Sequence, residues 1–345
     1  MSDASLEIEK AVLARWELAA GEIDRALEEN LAVAFLGSAS SGKDSAIRAL
    51  FGIDFGQVDP IPGSTEEVRV AAVDAEGRLL VINAPGFGDV RADVDKRARA
   101  AMEQLDIAIY VLNCDGGATI DERRDLDAVR ALGRPTLVCL NKIDLIRPGQ
   151  REAFVDATLE QLGIQKEDAV ITAFDPLPVL SDKPIGVQEV VNWIHTNLEQ
   201  DGKALLFAKN LRNRAIACES MIRSAAKQAT LAGAIPIPGA DATAVTAIQV
   251  RLISNIAAVF DHRIDKDLIL FIMGEALAGS SKGFIRWAVT AAKTALGATV
   301  SGATTFGVGK AAVAFMENGG SITGTEIREI FDLQAFAWKQ NNGNS

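Results

Sequence analysis

Hydrophobic residues between positions 31 and 200 form short runs that alternate with amphipathic stretches. The runs predict strands near 31–36, 67–74, 78–83, 107–113, 135–140 and 168–172. The stretches between them have helical periodicity and predict helices near 43–51, 92–104, 121–132, 149–163 and 186–199. This alternation predicts an α/β fold with a mostly parallel sheet that helices cover on both faces.

The pattern is helical on both sides of this stretch. Residues 4–29 predict an amphipathic helix, and the strand signal stops near residue 203. We therefore expect an N-terminal amphipathic helix at 1–30, an α/β domain at 31–200 and an all-α domain at 201–345.

A glycine- and serine-rich segment directly follows the first predicted strand. Its sequence fits G-x-x-x-x-G-K, which is typical of a phosphate-binding loop between a strand and a helix. Backbone N–H groups in such a loop surround phosphate oxygens, and the helix N-terminus adds its positive dipole end. A plain glycine-rich turn is the alternative interpretation. The predicted phosphate-binding residues are Gly37, Ser40, Ser41, Gly42, Lys43, Asp44 and Ser45.

A second motif, N-K-I-D, begins at Asn141 after another apolar strand. In GTPases this motif recognises guanine. By this likeness the Asp144 carboxylate would accept from the ring N1–H and the exocyclic amine, while Asn141 and Lys142 would brace the base and the phosphate loop. Adenine lacks that pair of donors and would be rejected. Thr172 and Ala173 follow the next predicted strand, where a backbone N–H would meet the guanine carbonyl.

Two further segments fit nucleotide-sensing switches. The sequence P-G-S-T from Pro62 fits a first switch, with Thr65 as the candidate sensor of the γ-phosphate and its metal. The second switch usually reads D-x-x-G. Here the first position is Asn83, while Gly86 is present and its N–H could contact the γ-phosphate. We take Thr65 and Gly86 as the candidate catalytic residues.

Taken in order, these motifs resemble those of Era-like GTPases of the translation-factor-related class, over residues 31–198. The resemblance implies a GTPase that uses GTP or GDP and Mg²⁺. Residues 205–335 resemble a bacterial helical domain of unknown function that is often fused to such domains, and the run A-G-A-I-P-I-P-G-A-D from Ala232 carries this similarity. The layout is similar to that of immunity-related and dynamin-like GTPases, which implies that the N-terminal helix packs on the helical domain.

Two residues depart from the family's metal site. The family places a hydroxyl after the loop lysine and an aspartate in the second switch, whereas this chain has Asp44 and Asn83 there. Three interpretations stay open. Asp44 binds Mg²⁺ directly, with Asn83 orienting a water and Thr65 completing the site; Ser45 supplies the missing hydroxyl; or the site is degraded and turnover is poor.

The residue after the second-switch glycine bears on the rate of hydrolysis. Ras-type GTPases use a glutamine there to position the attacking water, whereas this chain has Phe87. We therefore expect slow intrinsic hydrolysis that accelerates on self-association, with a homodimer through the GTPase domain left open. An arginine beside the first switch could assist hydrolysis, and Arg69 is the arginine nearest to it. The alternative function is a pseudo-GTPase that acts as a binding or scaffold module, with membrane association left open.

Charge narrows the choice of partners. The chain has a formal net charge of −11, but residues 201–345 carry 15 basic and 11 acidic residues. The sequence lacks the basic, aromatic stripe that is typical of nucleic-acid-binding proteins, so we expect no nucleic-acid partner. The three cysteines are far apart, and only two histidines occur, so neither a zinc site nor redox chemistry is indicated. The polar N-terminus lacks a signal-peptide pattern, and we expect a cytoplasmic location.

Residues 227–316 are rich in small residues, which let helices approach closely in membranes or in a tight bundle. Only 16 residues separate Lys293 from Lys310, fewer than the roughly 20 that a spanning helix needs. A close-packed helical domain and a peripheral membrane contact are both left open. Asp241 is expected to cap the helix that follows the Pro-x-Pro turn.

Overall fold

The computed structural model describes residues 3–55, 68–84, 103–234, 240–278 and 297–342, with side chains described from residue 14 onward except at 240–242. Contacts divide the chain into two compact units. Residues 28–213 form the sheet unit, and residues 1–27 with 214–345 form the helical unit. Thr65, Gly86 and Phe87 lie outside the described residues, as do most of the helix expected near 92–104 and the side chain of Asp241.

The sheet unit contains a six-stranded sheet with the strand order β2-β3-β1-β4-β5-β6. All described pairs of neighbouring strands are parallel except β2 with β3. The predicted α/β fold with a mostly parallel sheet is therefore confirmed. The strands are β1 (Leu31–Leu36), β2 (Arg69–Ala72), β3 (Leu79–Asn83), β4 (Ile107–Asn113), β5 (Thr136–Asn141) and β6 (Ala169–Ile171).

Helices alternate with these strands and cover the sheet. Every residue of β1 is buried, as expected for a central parallel strand with helices on both faces. The carboxyl ends of β1, β4 and β5 meet at one edge, where the register pairs Asn113 with Asn141. The described helices of this unit are α2 (Lys43–Phe51), α3 (Ile120–Arg130), α4 (Arg151–Leu162), α5 (Val187–Glu199) and α6 (Ala204–Lys209), and α1 (Asp3–Glu28) precedes them.

A partly buried ion pair lies at the amino-terminal ends of the central strands. Asp106, just before β4, accepts a hydrogen bond from the backbone N–H of Ala32 at 2.9 Å. Its other oxygen accepts from the Lys203 ammonium at 2.6 Å. These side chains are only 14% and 18% exposed, so each charge depends on its partner.

The helical unit packs around a central helix. Its described helices after α1 are α7 (Arg214–Gly233), α8 (Ala240–Val259), α9 (Lys266–Ala278), α10 (Ala298–Glu317) and α11 (Gly324–Asn342). Helix α10 contacts the other four, and glycines allow the close approach. A Cβ at Gly302 would lie 2.2 Å from the Thr230 hydroxyl, and one at Gly309 would lie 2.6 Å from Ile222. Such contacts leave no room for larger side chains.

Helix α1 is part of the helical unit up to Leu27. Its Ala19 and Ile23 are buried, and Glu22 forms an ion pair with Arg251 of α8 at 3.4 Å. Within the described residues, no helix combines the length and the apolar character that crossing a membrane requires.

Candidate nucleotide-binding site

The loop between β1 and α2 has a backbone path that requires glycine at two positions. Gly37 has φ +133°, and a Cβ there would lie 2.2 Å from the carbonyl oxygen of Val111. Gly42 has φ +102°, and a Cβ there would lie 2.2 Å from the Asn141 amide nitrogen. Side chains rarely adopt such angles, and no space exists for one. The glycines of the predicted phosphate loop are therefore set by the close contact of this loop with β4 and β5.

The lysine of the loop folds back over it. The Lys43 ammonium donates to the carbonyl oxygens of Gly37 and Ser38, each at 2.8 Å. Burial lowers the pKa of Lys43 below its ordinary value, while nearby Asp44 and Asp125 counteract this shift. A partly dehydrated cation of this kind favours an anionic ligand in the loop, because the ligand supplies the lost electrostatic stabilisation.

Asn141, at the end of β5, connects the phosphate loop to the segment after β6. Its amide nitrogen donates to the Ser41 carbonyl oxygen at 2.8 Å. Its amide oxygen accepts from the Phe174 N–H at 3.1 Å and from the Thr172 hydroxyl at 3.3 Å. The side chain is 2% exposed, so these contacts satisfy it fully within the protein. The structure thus brings together two motifs that lie 100 residues apart.

Asp144 lies in a short 3₁₀ turn directly after β5 and is 9% exposed. One of its carboxylate oxygens accepts from the Leu177 N–H at 3.1 Å. Lys142 precedes the turn with φ +63°, which directs the chain sharply away from the strand. The motif residues therefore lie at the carboxyl end of β5, on the same edge of the sheet as the phosphate loop.

The backbone N–H groups of Thr172 and Ala173 are engaged elsewhere. Thr172 donates to Leu140 at 2.9 Å, and Ala173 donates to Ile185 at 3.1 Å. The expected contact of one of these N–H groups with a base carbonyl stays a prediction. The N–H of Phe174 instead points toward Asn141 on the site side. Sequence reasoning missed Phe174, because only the backbone register shows which amide faces the loop.

The two unusual residues of the predicted metal site are direct neighbours. Asn83, at the end of β3, donates its amide N–H to the Asp44 carboxylate at 2.5 Å. Asn83 is 8% exposed, whereas Asp44 is exposed in the first turn of α2. A carboxylate and an amide oxygen suit a hard cation such as Mg²⁺, which usually takes one or two protein carboxylates and completes its shell with phosphate and water. The described residues contain no cluster of three acidic, histidine or cysteine side chains.

Glu122 of α3 is a second residue that sequence reasoning missed. Its carboxylate accepts from the Ser38 hydroxyl of the phosphate loop at 3.0 Å. The same carboxylate closes the capping box of α3 by accepting from the Thr119 N–H at 3.0 Å. The Thr119-x-x-Glu122 pattern predicts the cap, but the contact with Ser38 needs the fold, because 84 residues separate the pair.

The chain is similar to known GTPases. Residues 32–142 match the family model described as "50S ribosome-binding GTPase", which covers the phosphate loop and the start of the N-K-I-D motif. The chain contains a P-loop GTPase domain. GTPase Era from Borrelia hermsii (strain HS1 / DAH) is 22% identical over 173 residues, which are 49% of this chain and 57% of that protein. The chain thus spans little more than half the length of this Era relative.

The chain is also similar to a GTP-binding protein and to a solved structure of Era. The probable GTP-binding protein EngB from Gemmatimonas aurantiaca (strain DSM 14586 / JCM 11422 / NBRC 100505 / T-27) is 27% identical over 148 residues, which are 40% of this chain and 72% of that protein. A solved structure of Era with MgGDPNP and a segment of 16S ribosomal RNA is 15% identical, with a TM-score of 0.33, and the match covers 58% of this chain and 68% of that one. That no nucleic acid binds this chain stays a prediction.

Proposed function

We propose that the GTPase domain binds GTP and GDP selectively, uses Mg²⁺ through an altered site, and hydrolyses GTP slowly. The buried contact of Asn141 with both the Ser41 carbonyl and the Phe174 N–H carries this proposal. It holds the phosphate loop beside the segment that is proposed to recognise the base. In this proposal the nucleotide state alters the helical unit and self-association through the GTPase domain.

Guanine selectivity rests on Asp144. An ionised carboxylate only accepts hydrogen bonds, so it pairs with a base edge that offers two adjacent donors. Its low exposure makes a mismatch costly, because an adenine would give the remaining lone pairs of this buried carboxylate no donor. We therefore expect adenine nucleotides to bind at least 100-fold more weakly, because adenine lacks both donors and each hydrogen bond to a charged group is worth about tenfold or more.

Asp44 is the proposed direct ligand of Mg²⁺, and Asn83 is the residue that positions it. The hydrogen bond between them supports this arrangement, because it aligns the carboxylate without adding a second negative charge beside the phosphates. Bound Mg²⁺ would neutralise charge on the nucleotide phosphates. Thr65 belongs to this proposed set on sequence grounds, and Ser45 is the alternative source of a hydroxyl ligand.

The first experiment is a titration of the whole chain with fluorescent GTP, GDP and ATP, each in Mg²⁺ and in EDTA. Phosphate release is followed at two protein concentrations. Guanine-selective binding that Mg²⁺ strengthens, with slow turnover that rises with protein concentration, is the expected result. Equal affinity for ATP, or no binding of any nucleotide, would overturn the proposal.

The metal assignment is tested by exchanging the two side chains. Asp44→Ser and Asn83→Asp each alter the charge of the pair by one unit, whereas the double variant restores the family's usual residues and the original charge. The factor by which Mg²⁺ strengthens GDP binding should be about tenfold smaller in each single variant than in the wild-type chain, as expected for one lost ionic contact. The double variant should recover most of that loss. Independent, additive losses would show that the two residues do not form one site.

A pseudo-GTPase is the second candidate, and one observation favours it. The Asn83 amide already occupies an Asp44 oxygen that a metal would need. If this contact persists with nucleotide bound, Mg²⁺ will not strengthen binding and turnover will be absent. Asp44→Ser would then create activity instead of reducing it. The same titration therefore separates the two candidates.

Peripheral membrane contact of the helical unit is the remaining part of the proposal. Its support is the excess of basic over acidic residues in 201–345, which favours an anionic surface. Sedimentation with vesicles that contain or lack anionic lipid, with GTP or GDP present, tests it. Binding that depends on neither anionic lipid nor nucleotide would contradict this part alone.

A further inference from the structure

The segment after β6, residues 174–186, is closed at its base by paired backbone bonds and is called the base loop below. Ala173 and Ile185 exchange both of their backbone hydrogen bonds, at 3.1 and 2.9 Å. Gly186 then turns the chain into α5 with φ +79°, and a Cβ there would lie 2.1 Å from the Ile171 carbonyl oxygen. Only glycine fits this turn, so the loop ends at a fixed point beside β6.

The middle of the base loop is also constrained. Pro176 and Pro178 flank Leu177, and each proline fixes its own φ and restricts the residue before it to extended conformations. The Leu177 carbonyl oxygen accepts from the N–H groups of Leu180 and Ser181, at 2.8 and 3.1 Å, which form a turn. The position of the Leu177 backbone is therefore set by its neighbours before any ligand binds.

This constrained backbone directs one N–H at the side chain that is proposed to recognise guanine. The Leu177 N–H donates to the Asp144 carboxylate at 3.1 Å, across 33 residues of sequence. The Leu177 side chain is 47% exposed, so little packing depends on it. The contribution of this residue to the site is thus its backbone donor.

We propose that Leu177 is a positioning residue for guanine recognition: its N–H holds the Asp144 carboxylate in the orientation that accepts the ring N1–H and the exocyclic amine together. The inference rests on the proposed guanine selectivity and assigns part of that selectivity to the base loop. A carboxylate has about four lone-pair positions, so one bond to Leu177 leaves enough for both guanine donors.

The chemical consequence concerns selectivity more than affinity. A fixed carboxylate accepts two donors at once, while a freely rotating one is aligned for a single donor most of the time. Guanine offers two donors to Asp144, and hypoxanthine, which lacks the exocyclic amine, offers one. Loss of the Leu177 N–H should therefore reduce the preference for guanine over hypoxanthine, whereas general loosening of the site should weaken both equally.

The test compares Leu177→Pro, which removes the backbone donor and part of the side chain and also fixes φ, with Leu177→Ala, which keeps the donor. The affinities for GDP and IDP are measured for both variants and for the wild-type chain. We expect a wild-type preference of about tenfold or more for GDP, as for one hydrogen bond to a charged group. Leu177→Pro should reduce that preference severalfold, and Leu177→Ala should leave it within twofold. An unchanged preference in Leu177→Pro would overturn the inference.

Ile185→Pro serves as the control for loosening, because it removes an N–H at the base of the loop that donates to Ala173 and not to Asp144. It should weaken GDP and IDP binding by the same factor. A fall in the preference as large as that in Leu177→Pro would assign the effect to general flexibility and overturn the inference.

A second measurement needs no nucleotide and covers the case in which Leu177→Pro does not fold. Amide hydrogen exchange of the Leu177 N–H is followed in the wild-type chain and in Asp144→Ala. We expect exchange to accelerate severalfold in Asp144→Ala, because the acceptor is lost. Equal rates would overturn the contact. If the contact is confirmed but the wild-type chain binds no guanine nucleotide, the proposed function fails and not the geometry of the loop.

Discussion

The base end and the phosphate end of the site relate differently to the family pattern. At the base end Asn141 and Asp144 keep the usual residues, and both side chains are buried and hydrogen-bonded within the protein. At the phosphate end Asp44 and Asn83 replace the usual residues, and Asp44 is exposed. The two residues that are proposed to recognise the base are thus both buried, while the proposed direct metal ligand, Asp44, is exposed beside the buried Asn83.

This difference indicates where function can vary without loss of the fold. A change at Asn141 leaves buried backbone groups unpaired, so stability and binding are coupled there. Removing the Asp44 carboxylate frees one N–H of the Asn83 amide, so we expect a smaller cost there than at Asn141, where both a carbonyl and an N–H lose their partner. The metal chemistry can therefore diverge while nucleotide recognition is retained. The predictions below test this separation, beginning with the largest expected effect.

Replacing Asn141 with alanine should break the base end. The change leaves the Ser41 carbonyl and the Phe174 N–H without their partner in a buried position, which costs about 2–5 kcal/mol of unfolding free energy. Nucleotide binding should fall at least 100-fold, about the effect of losing 3 kcal/mol. Chemical denaturation and GDP titration measure the two losses.

Asn113 provides the matched control for this prediction. It is the register partner of Asn141 at the end of β4, but its side chain accepts only from the Asp115 N–H near the surface. Asn113→Ala should cost about 1 kcal/mol or less. Similar losses in the two variants would contradict a special role for Asn141.

A methyl group at Gly42 should separate the phosphate loop from Asn141. The Cβ of Gly42→Ala would meet the Asn141 amide nitrogen at 2.2 Å, and its φ of +102° is unfavourable for alanine. We expect GDP binding to weaken more than tenfold and stability to fall by about 2–3 kcal/mol, the usual cost of overpacking. Gly77→Ala is the control, because it has φ +69° with no atom within 4 Å of the added group. It should cost about 1–2 kcal/mol and leave GDP affinity unchanged.

Much of the fold was predictable because it depends on local pattern. The apolar runs located every described strand to within a few residues, and the two nucleotide-binding motifs that the sequence indicated contact each other through Ser41 and Asn141. Long-range contacts were not predictable. Nothing in the composition of 174–186 indicates that the Leu177 N–H reaches Asp144, or that the Ala173 N–H donates to Ile185. Backbone register decides these contacts, and it appears only when the strands are paired.

A substitution at Asp106, at the amino-terminal ends of the central strands, should lower stability and leave the nucleotide-binding site intact. In Asp106→Ala the Lys203 ammonium and the Ala32 N–H lose their partner, which should cost about 2–4 kcal/mol. GDP affinity below the unfolding transition should change less than twofold. Asp121→Ala is the control, because its pair with Arg124 is 94% and 77% exposed and is worth about 0.5 kcal/mol at most. A large fall in GDP affinity in Asp106→Ala would show that binding follows global stability and not the contacts of the site.

The smallest expected effect is a pH dependence at the phosphate end. Burial lowers the pKa of Lys43 in the free protein, and phosphate oxygens beside the ammonium would raise it again. The bound form then holds the proton to higher pH than the free form. GDP affinity should be flat below the free-state pKa and should fall as the pH rises through it, by at most about tenfold per pH unit.

Lys43→Arg keeps its charge at all of these pH values and should flatten the profile, although its weaker fit to the loop lowers the affinity itself. Since deprotonation of the base affects both proteins equally, the difference between their profiles reports on Lys43 alone. Identical slopes would show that the phosphate end lacks the buried cation on which its binding of nucleotide is proposed to depend.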